Sequence, residues 1–122
     1  MLSDQQLKAF TATTDLRQAK SFYQDILGLK LSSEDDYGIE FDANGALLRV
    51  ALVQELKPQP FTILGWNVPD IQAMIRSLTE KGIEFNKYDF IPQDEHRIWT
   101  APGGTKVPWF NDPCGNILSL SE

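Results

Sequence analysis

Few residues in this chain carry chemistry of their own. His96 is the one histidine and stands in Asp94-Glu95-His96-Arg97, where an imidazole beside carboxylates could move protons or share a metal ion. A lone imidazole in a charged stretch is more simply a solvated surface group, and we read it so. Cys114 is the one cysteine, set in Asp112-Pro113-Cys114-Gly115 with no base near it in sequence. A thiol needs a neighbouring positive charge or base to become a nucleophile, so Cys114 reads as a passive turn position. Glu34-Asp35-Asp36 reads as a solvated loop.

Arg49 is more informative. Leu48, Val50 and Leu52 form one apolar face of a strand, which turns Arg49 to the other face. A guanidinium there can clamp a carboxylate or phosphate through two parallel hydrogen bonds, or pair with an acidic strand residue such as Glu40. The residues leave both readings open. Trp66, Trp99 and Trp109, with Phe10, Tyr37 and Phe41, add aromatic surface of the kind that suits flat or apolar ligands.

These side chains need a scaffold, and the last fourteen residues show its style. Trp109 to Glu122 reads as strand, tight turn, strand: Pro113 presets one backbone angle, Gly115 accepts a positive one, and Asp112 and Asn116 can bond the local backbone. Phe41 to Arg49 repeats the pattern around Asn44-Gly45. Leu7 to Thr14 reads as a strand that runs into a helix capped by Asp15 and ended by Gly28, with Leu16, Ala19, Phe22, Tyr23, Ile26 and Leu27 at helical spacing. Strands follow over about 29–33, 38–42 and 46–54. After the proline-interrupted segment 55–60 the order starts again. A strand over 61–68 leads to a helix capped by Asp70 and ended by Gly82, and then to strands over 83–88, 97–101, 106–110 and 116–121, with 89–95 as loop.

Asp15 and Asp70 are 55 positions apart and Gly28 and Gly82 are 54 apart, so one supersecondary unit occurs twice in register. The expected fold is α+β: two tandem βαβββ modules, about 7–54 and 61–122 within one domain of 1–122, joined by the linker 55–60. Each module's helix covers one face of its sheet, and the other faces line a shared cleft. By alternation Phe10 and Trp109 face that cleft and Trp66 faces its helix; the alternation that places Ile63 on the cleft face places Gly65 and Asn67 there too. Trp99 has no register set by its surroundings.

The chain of 122 residues has a formal charge of −6 and a pI near 4.7. Binding to nucleic acid or to an anionic membrane works through Lys and Arg patches, so neither is an expected partner. One cysteine allows no internal disulfide. No run of about 18 apolar residues occurs, and the start lacks a basic region followed by an apolar one; a cytoplasmic protein is the expectation that remains.

Two segments resemble a known family. Asp15-Leu16-Arg17-Gln18-Ala19-Lys20-Ser21-Phe22-Tyr23-Gln24-Asp25-Ile26-Leu27-Gly28-Leu29 and the hairpin Phe110 to Leu120 resemble the signatures of the vicinal oxygen chelate superfamily. Its members include glyoxalase I, bleomycin- and fosfomycin-resistance proteins and extradiol dioxygenases. The resemblance implies paired βαβββ modules around a cleft and, in enzyme members, a divalent metal held by four His, Gln or Glu side chains. Its ligand positions fall here on Lys8, Ile63 and Ser119, with the fourth near Arg49 or Ala51, a set with too few donors for a cation. No metal and no cofactor are therefore expected. The expected function is metal-free binding of a small aromatic or anionic organic molecule by Lys8, Phe10, Arg49, Ile63, Asn67, Trp109 and Ser119. The alternatives are a lyase or isomerase of the lactoylglutathione lyase kind or a dioxygenase-like enzyme, including a metal-independent catalyst using Lys8, Arg49 or Asn67, and a structural or regulatory dimer. A homodimer is expected from the family habit and from apolar strand edges that need cover.

Overall fold

A computed structural model describes residues 1–122. The chain forms two compact units, Met1–Lys57 and Pro58–Glu122, whose boundary falls inside the proline-interrupted segment. The class is α+β with mixed sheets and few helices.

In the first unit, after a 3-10 turn at Leu2–Asp4, come β1 (Lys8–Thr13), α1 (Leu16–Lys20) continued by a π turn (Ser21–Ile26), β2 (Lys30–Asp35), β3 (Gly38–Ala43) and β4 (Ala46–Leu52). The sheet order is β1-β4-β3-β2, with β1 parallel to β4 and the other pairs antiparallel. A parallel pair cannot close through a hairpin, so the chain crosses over through the helix. The helix buries Ala19, Phe22 and Tyr23, the sheet buries Ile39, Phe41, Leu48 and Val50, and the Tyr23 and Phe41 rings lie 6.1 Å apart. Asn44 and Gly45 both take positive φ, the two left-handed residues that a tight hairpin demands, and the Asp42 carboxylate accepts the Gly45 N–H at 3.0 Å.

The second unit repeats the order with β5 (Thr62–Asn67), α2 (Ile71–Glu80), β6 (Trp99–Thr100), β7 (Lys106–Val107), β8 (Trp109–Asn111) and β9 (Ile117–Ser121). Its three-stranded sheet runs β5-β9-β8, again with first strand parallel to last. Both helices start alike: Asp15 accepts the Gln18 N–H at 3.1 Å and Asp70 the Ala73 N–H at 3.0 Å. They end differently. At α2 the Ile83 N–H bonds Leu78 O and the Gly82 N–H bonds Thr79 O, a Schellman cap. In the first unit Leu29 reaches one residue further back, to Tyr23 O, and Leu27 bonds Phe22 O. Cap and terminal glycine are 13 positions apart there and 12 in the second unit. The π turn accommodates the extra residue, as such turns commonly do.

Two strand expectations change. Residues 83–88 form no ladder: the Asn86 N–H reaches Trp109 O at 2.8 Å, but the next partner is a side chain. Gln93 Oε1 accepts the Tyr88 N–H at 2.7 Å and Gln93 Nε2 donates to Asn86 O at 3.0 Å, the two bonds a neighbouring strand would have made. The strand expected over 106–110 is split at Pro108, which has no N–H to give to a ladder. Trp66 pairs with Leu120 and shares its face, as alternation required, but is only half-buried.

The last hairpin turn is held by Asp112, 6% exposed, whose Oδ1 accepts the N–H groups of Cys114 and Asn116 at 3.0 and 2.9 Å while Oδ2 accepts Asn116 Nδ2 at 2.8 Å. Three donors on one buried carboxylate make Asp112→Ala costly. We expect a loss of about 3 kcal/mol in urea unfolding, against about 1 kcal/mol for Asp42→Ala at the exposed turn; equal losses would contradict this ranking.

Candidate functional site

The register of the second sheet sets one of its faces. Trp109 pairs with Ser119, and Ser119 with Gly65, so the three lie in a row across β8, β9 and β5. A methyl group added at Gly65 would lie 2.8 Å from Ser119 Oγ, so the smallest residue is what lets that hydroxyl stand there. Strict alternation fails one step earlier. Thr62 pairs with Ile117 while Leu64 pairs with Leu118, leaving Ile63 as the extra residue of a bulge. The bulge brings Thr62, rather than a residue in phase with Gly65, beside Trp109, and Thr62 Oγ1 accepts the indole N–H at 2.9 Å.

That bond anchors one wall of a cavity of about 490 Å³ wholly within the second unit. Phe61, Tyr88, Phe90, Ile91, Trp99 and Trp109 are its principal walls, with Pro60, Thr62 and Ile117 completing it. Trp99 lies tilted 33° to Trp109 at 6.0 Å between ring centroids, and Tyr88 meets Trp109 edge-on at 5.6 Å. Phe90 extends the wall from Tyr88 at 5.3 Å and is itself 81% exposed. No charged side chain lines the cavity, and its polar atoms are hydroxyl and indole groups at the edge of an apolar surface.

The loop that supplies Tyr88, Phe90 and Ile91 is fixed by side chains: by Gln93, which also donates to Arg97 O at 3.0 Å, and by Asp94, whose Oδ1 accepts the N–H groups of His96 and Ile98 at 2.8 and 2.9 Å. Arg97 takes φ 66° inside that tight turn. His96 is part of the turn, half-exposed and 3.7 Å from Glu95, away from the cavity lining.

Of the side chains singled out in the sequence, Trp109 lines this cavity and Trp99 joins it. Lys8, Phe10, Arg49, Ile63, Asn67 and Ser119 do not. Tyr88, Phe90, Ile91 and Thr62 were not legible as site residues, because the first three sit on a loop without periodicity and Thr62 depends on the bulge.

In the first unit Arg49 takes part in an ion network. Its Nη1 lies 3.5 Å from Glu40 and its Nη2 3.4 Å from both oxygens of Asp35, while Lys8 Nζ holds Glu40 at 2.7 Å and lies 5.7 Å from the centre of the Phe10 ring. Gly38 makes room for the guanidinium, since a methyl group there would stand 2.9 Å from Arg49 Cζ. The salt-bridge reading of Arg49 is thus the arrangement present. The Tyr37 N–H, aided by Arg49, holds the Asp35 carboxyl below its ordinary 3.8; Lys8, with Arg49, holds Glu40 below its ordinary 4.5.

The profile of the Glyoxalase/Bleomycin resistance protein/Dioxygenase superfamily matches residues 8–120. The chain belongs to that superfamily. Solved structures agree on the fold. A lactoylglutathione lyase from Agrobacterium tumefaciens superposes with a TM-score of 0.75 at 16% identity, over 95% of this chain and 91% of its own. A superfamily member from Sphaerobacter thermophilus gives 0.72 at 26% identity over 96% and 95%, and one from Alicyclobacillus acidocaldarius 0.72 at 21% over 97% and 90%. No curated protein sequence matches significantly.

The metal that enzyme members of the superfamily hold does not fit the residues present. Lys8 is committed to Glu40, Ile63 has no donor atom, Arg49 is a cation, and Ser119 offers one hydroxyl, 7% exposed. No three His, Cys, Asp or Glu side chains are grouped so that they could hold a metal ion. A cation needs several converging oxygen or nitrogen donors.

Two outcomes follow. Elemental analysis of the purified protein should find far less than one equivalent of zinc, nickel, iron or manganese, and one tightly held ion per chain would contradict the donor argument. Because the folded Asp35 and Glu40 titrate below their unfolded values, their contribution is complete above about pH 4.5 and is lost as pH falls through the lower folded values. Carboxyl NMR titration of Lys8→Met should return Glu40 most of the way to its ordinary value and leave Asp35 low.

Proposed function

We propose that the protein is a small-molecule-binding member of its superfamily, holding a flat aromatic or apolar organic molecule in the second unit without a metal ion. The observation that supports this most is the aromatic cavity itself: two indoles and a phenol at stacking distances, a volume in the range of small-ligand sites, and an indole N–H already committed to Thr62, so the ring is held in place before a ligand arrives. Trp109 is the central contact in this reading. The ion network around Arg49 is a feature of the first sheet, and an anion clamp there would require Arg49 to leave Asp35 and Glu40.

A homodimer in the cytoplasm belongs to the same proposal. Support for association comes from Leu7, Phe10, Tyr37 and Leu52, large apolar side chains exposed on the first unit. The chain's single cysteine makes no disulfide, which suits a reducing compartment. The lyase or isomerase alternative draws no support from the donor set.

An uncharged bicyclic probe such as 2-naphthalenemethanol, followed by equilibrium dialysis, tests the assignment. Trp109→Ala should weaken it about tenfold or more, and Arg49→Met should change it by less than about twofold. The reverse pattern would move the site to the first unit.

A further inference from the structure

We infer that the aromatic cavity opens into a polar compartment that recognises a carboxylate, so that the ligand class is an aromatic carboxylic acid. This rests on the reading of the aromatic cavity as a ligand site and adds the group that orients the ligand in it. A second cavity, of about 350 Å³ and also within the second unit, shares Pro60, Tyr88 and Ile117 with the first. Its other walls include Gln59, Asn86, Lys87 and Asn111, so apolar lining residues give way to residues with amide side chains and one lysine.

Tyr88 stands at the junction. Its ring meets Trp109, while its hydroxyl accepts a hydrogen bond from Asn86 Nδ2 at 3.1 Å. The second hydrogen of that amide goes to Asn111 Oδ1 at 2.5 Å. Those two bonds exhaust the donors of the Asn86 side chain. The Tyr88 hydroxyl hydrogen, both hydrogens of Asn111 Nδ2 and the Lys87 ammonium can still donate, whereas the acceptors left, Asn86 Oδ1 and the second lone pairs of Asn111 Oδ1 and the Tyr88 hydroxyl, are all uncharged. Lys87 is the one charged residue in either lining.

A donor-rich array with a single positive charge is complementary to a group that only accepts. A carboxylate meets it with two acceptor oxygens and a negative charge; a carboxamide at the same place brings one acceptor oxygen and no charge to set against Lys87. The protein as a whole carries −6 and repels anions at long range, so the preference must come from these local contacts. The array is also held in shape before binding, because Gln93 accepts the Tyr88 N–H and donates to Asn86 O.

Three probes with one ring system test this by equilibrium dialysis near neutral pH: 2-naphthylacetate, 2-naphthylacetamide and 2-methylnaphthalene. The acid should bind about tenfold or more tightly than the amide. Lys87→Met should bring the acid down to the level of the amide with the hydrocarbon unchanged, Lys87→Arg should keep most of the preference, and Asn111→Leu should weaken the acid selectively. Both positions are exposed, so folding is not at stake. Equal binding of acid and amide to the unaltered protein overturns the carboxylate inference while the aromatic site stands. Failure of all three probes to bind overturns both.

Discussion

The structure depends on one pairing made twice, the parallel ladder between the first and last strand of each unit. β1 pairs with β4 and β5 with β9 in the same sense, and a parallel pair requires a crossover. The helix supplies it, capped by Asp15 in one unit and Asp70 in the other, and the same ladder fixes which residues share a sheet face. In the second unit this constraint carries the site. Ser119 lies between Trp109 and Gly65 because β9 is the central strand, and Thr62 reaches the Trp109 indole because the ladder slips by one residue at Ile63.

The two units use their sheets for opposite purposes. The first satisfies its polar groups internally: Asp35, Arg49, Glu40 and Lys8 form a chain of ion pairs across the sheet, partly exposed and therefore of modest energy, with Gly38 leaving space for the guanidinium. The second leaves groups unanswered. Its aromatic rings border an open cavity, and Tyr88, Asn111 and Lys87 keep donors that no protein acceptor takes up. Stability alone does not call for such an arrangement, since an aromatic wall that packed against protein would bury more apolar area.

Much of the fold was legible because duplication repeats local signals that have mechanical causes. Asp caps, Gly stops and the Asn44-Gly45 and Asp112 to Asn116 turns all form as their residue types require. The one-residue mismatch between the repeats was visible too, and its cause is the π turn at Ser21–Ile26. Elsewhere a side chain replaced a backbone partner. Gln93 takes the place of a neighbouring strand along 86–88, and no periodic pattern announces that substitution. The same loop hid Tyr88 and Phe90 and left Trp99 without a register, while the bulge at Ile63 broke the alternation from which the cleft face of β5 had been read. The site therefore depends on the two kinds of feature, loop clasps and bulges, that strand and helix periods do not encode.

The central claim is that ligand binds within the second unit, against Trp109. The most direct measurement is a two-dimensional nitrogen–proton NMR titration with 2-naphthylacetate, in which the three tryptophan indole N–H signals are separate reporters. The account predicts that the Trp109 and Trp99 indole signals and the backbone amides of Lys87, Tyr88 and Asn111 move together along one saturable curve, with the Trp66 indole and the amides of β1 to β4 nearly still. Shifts concentrated at Phe10, Glu40 and Arg49, with Trp109 unmoved, would contradict it.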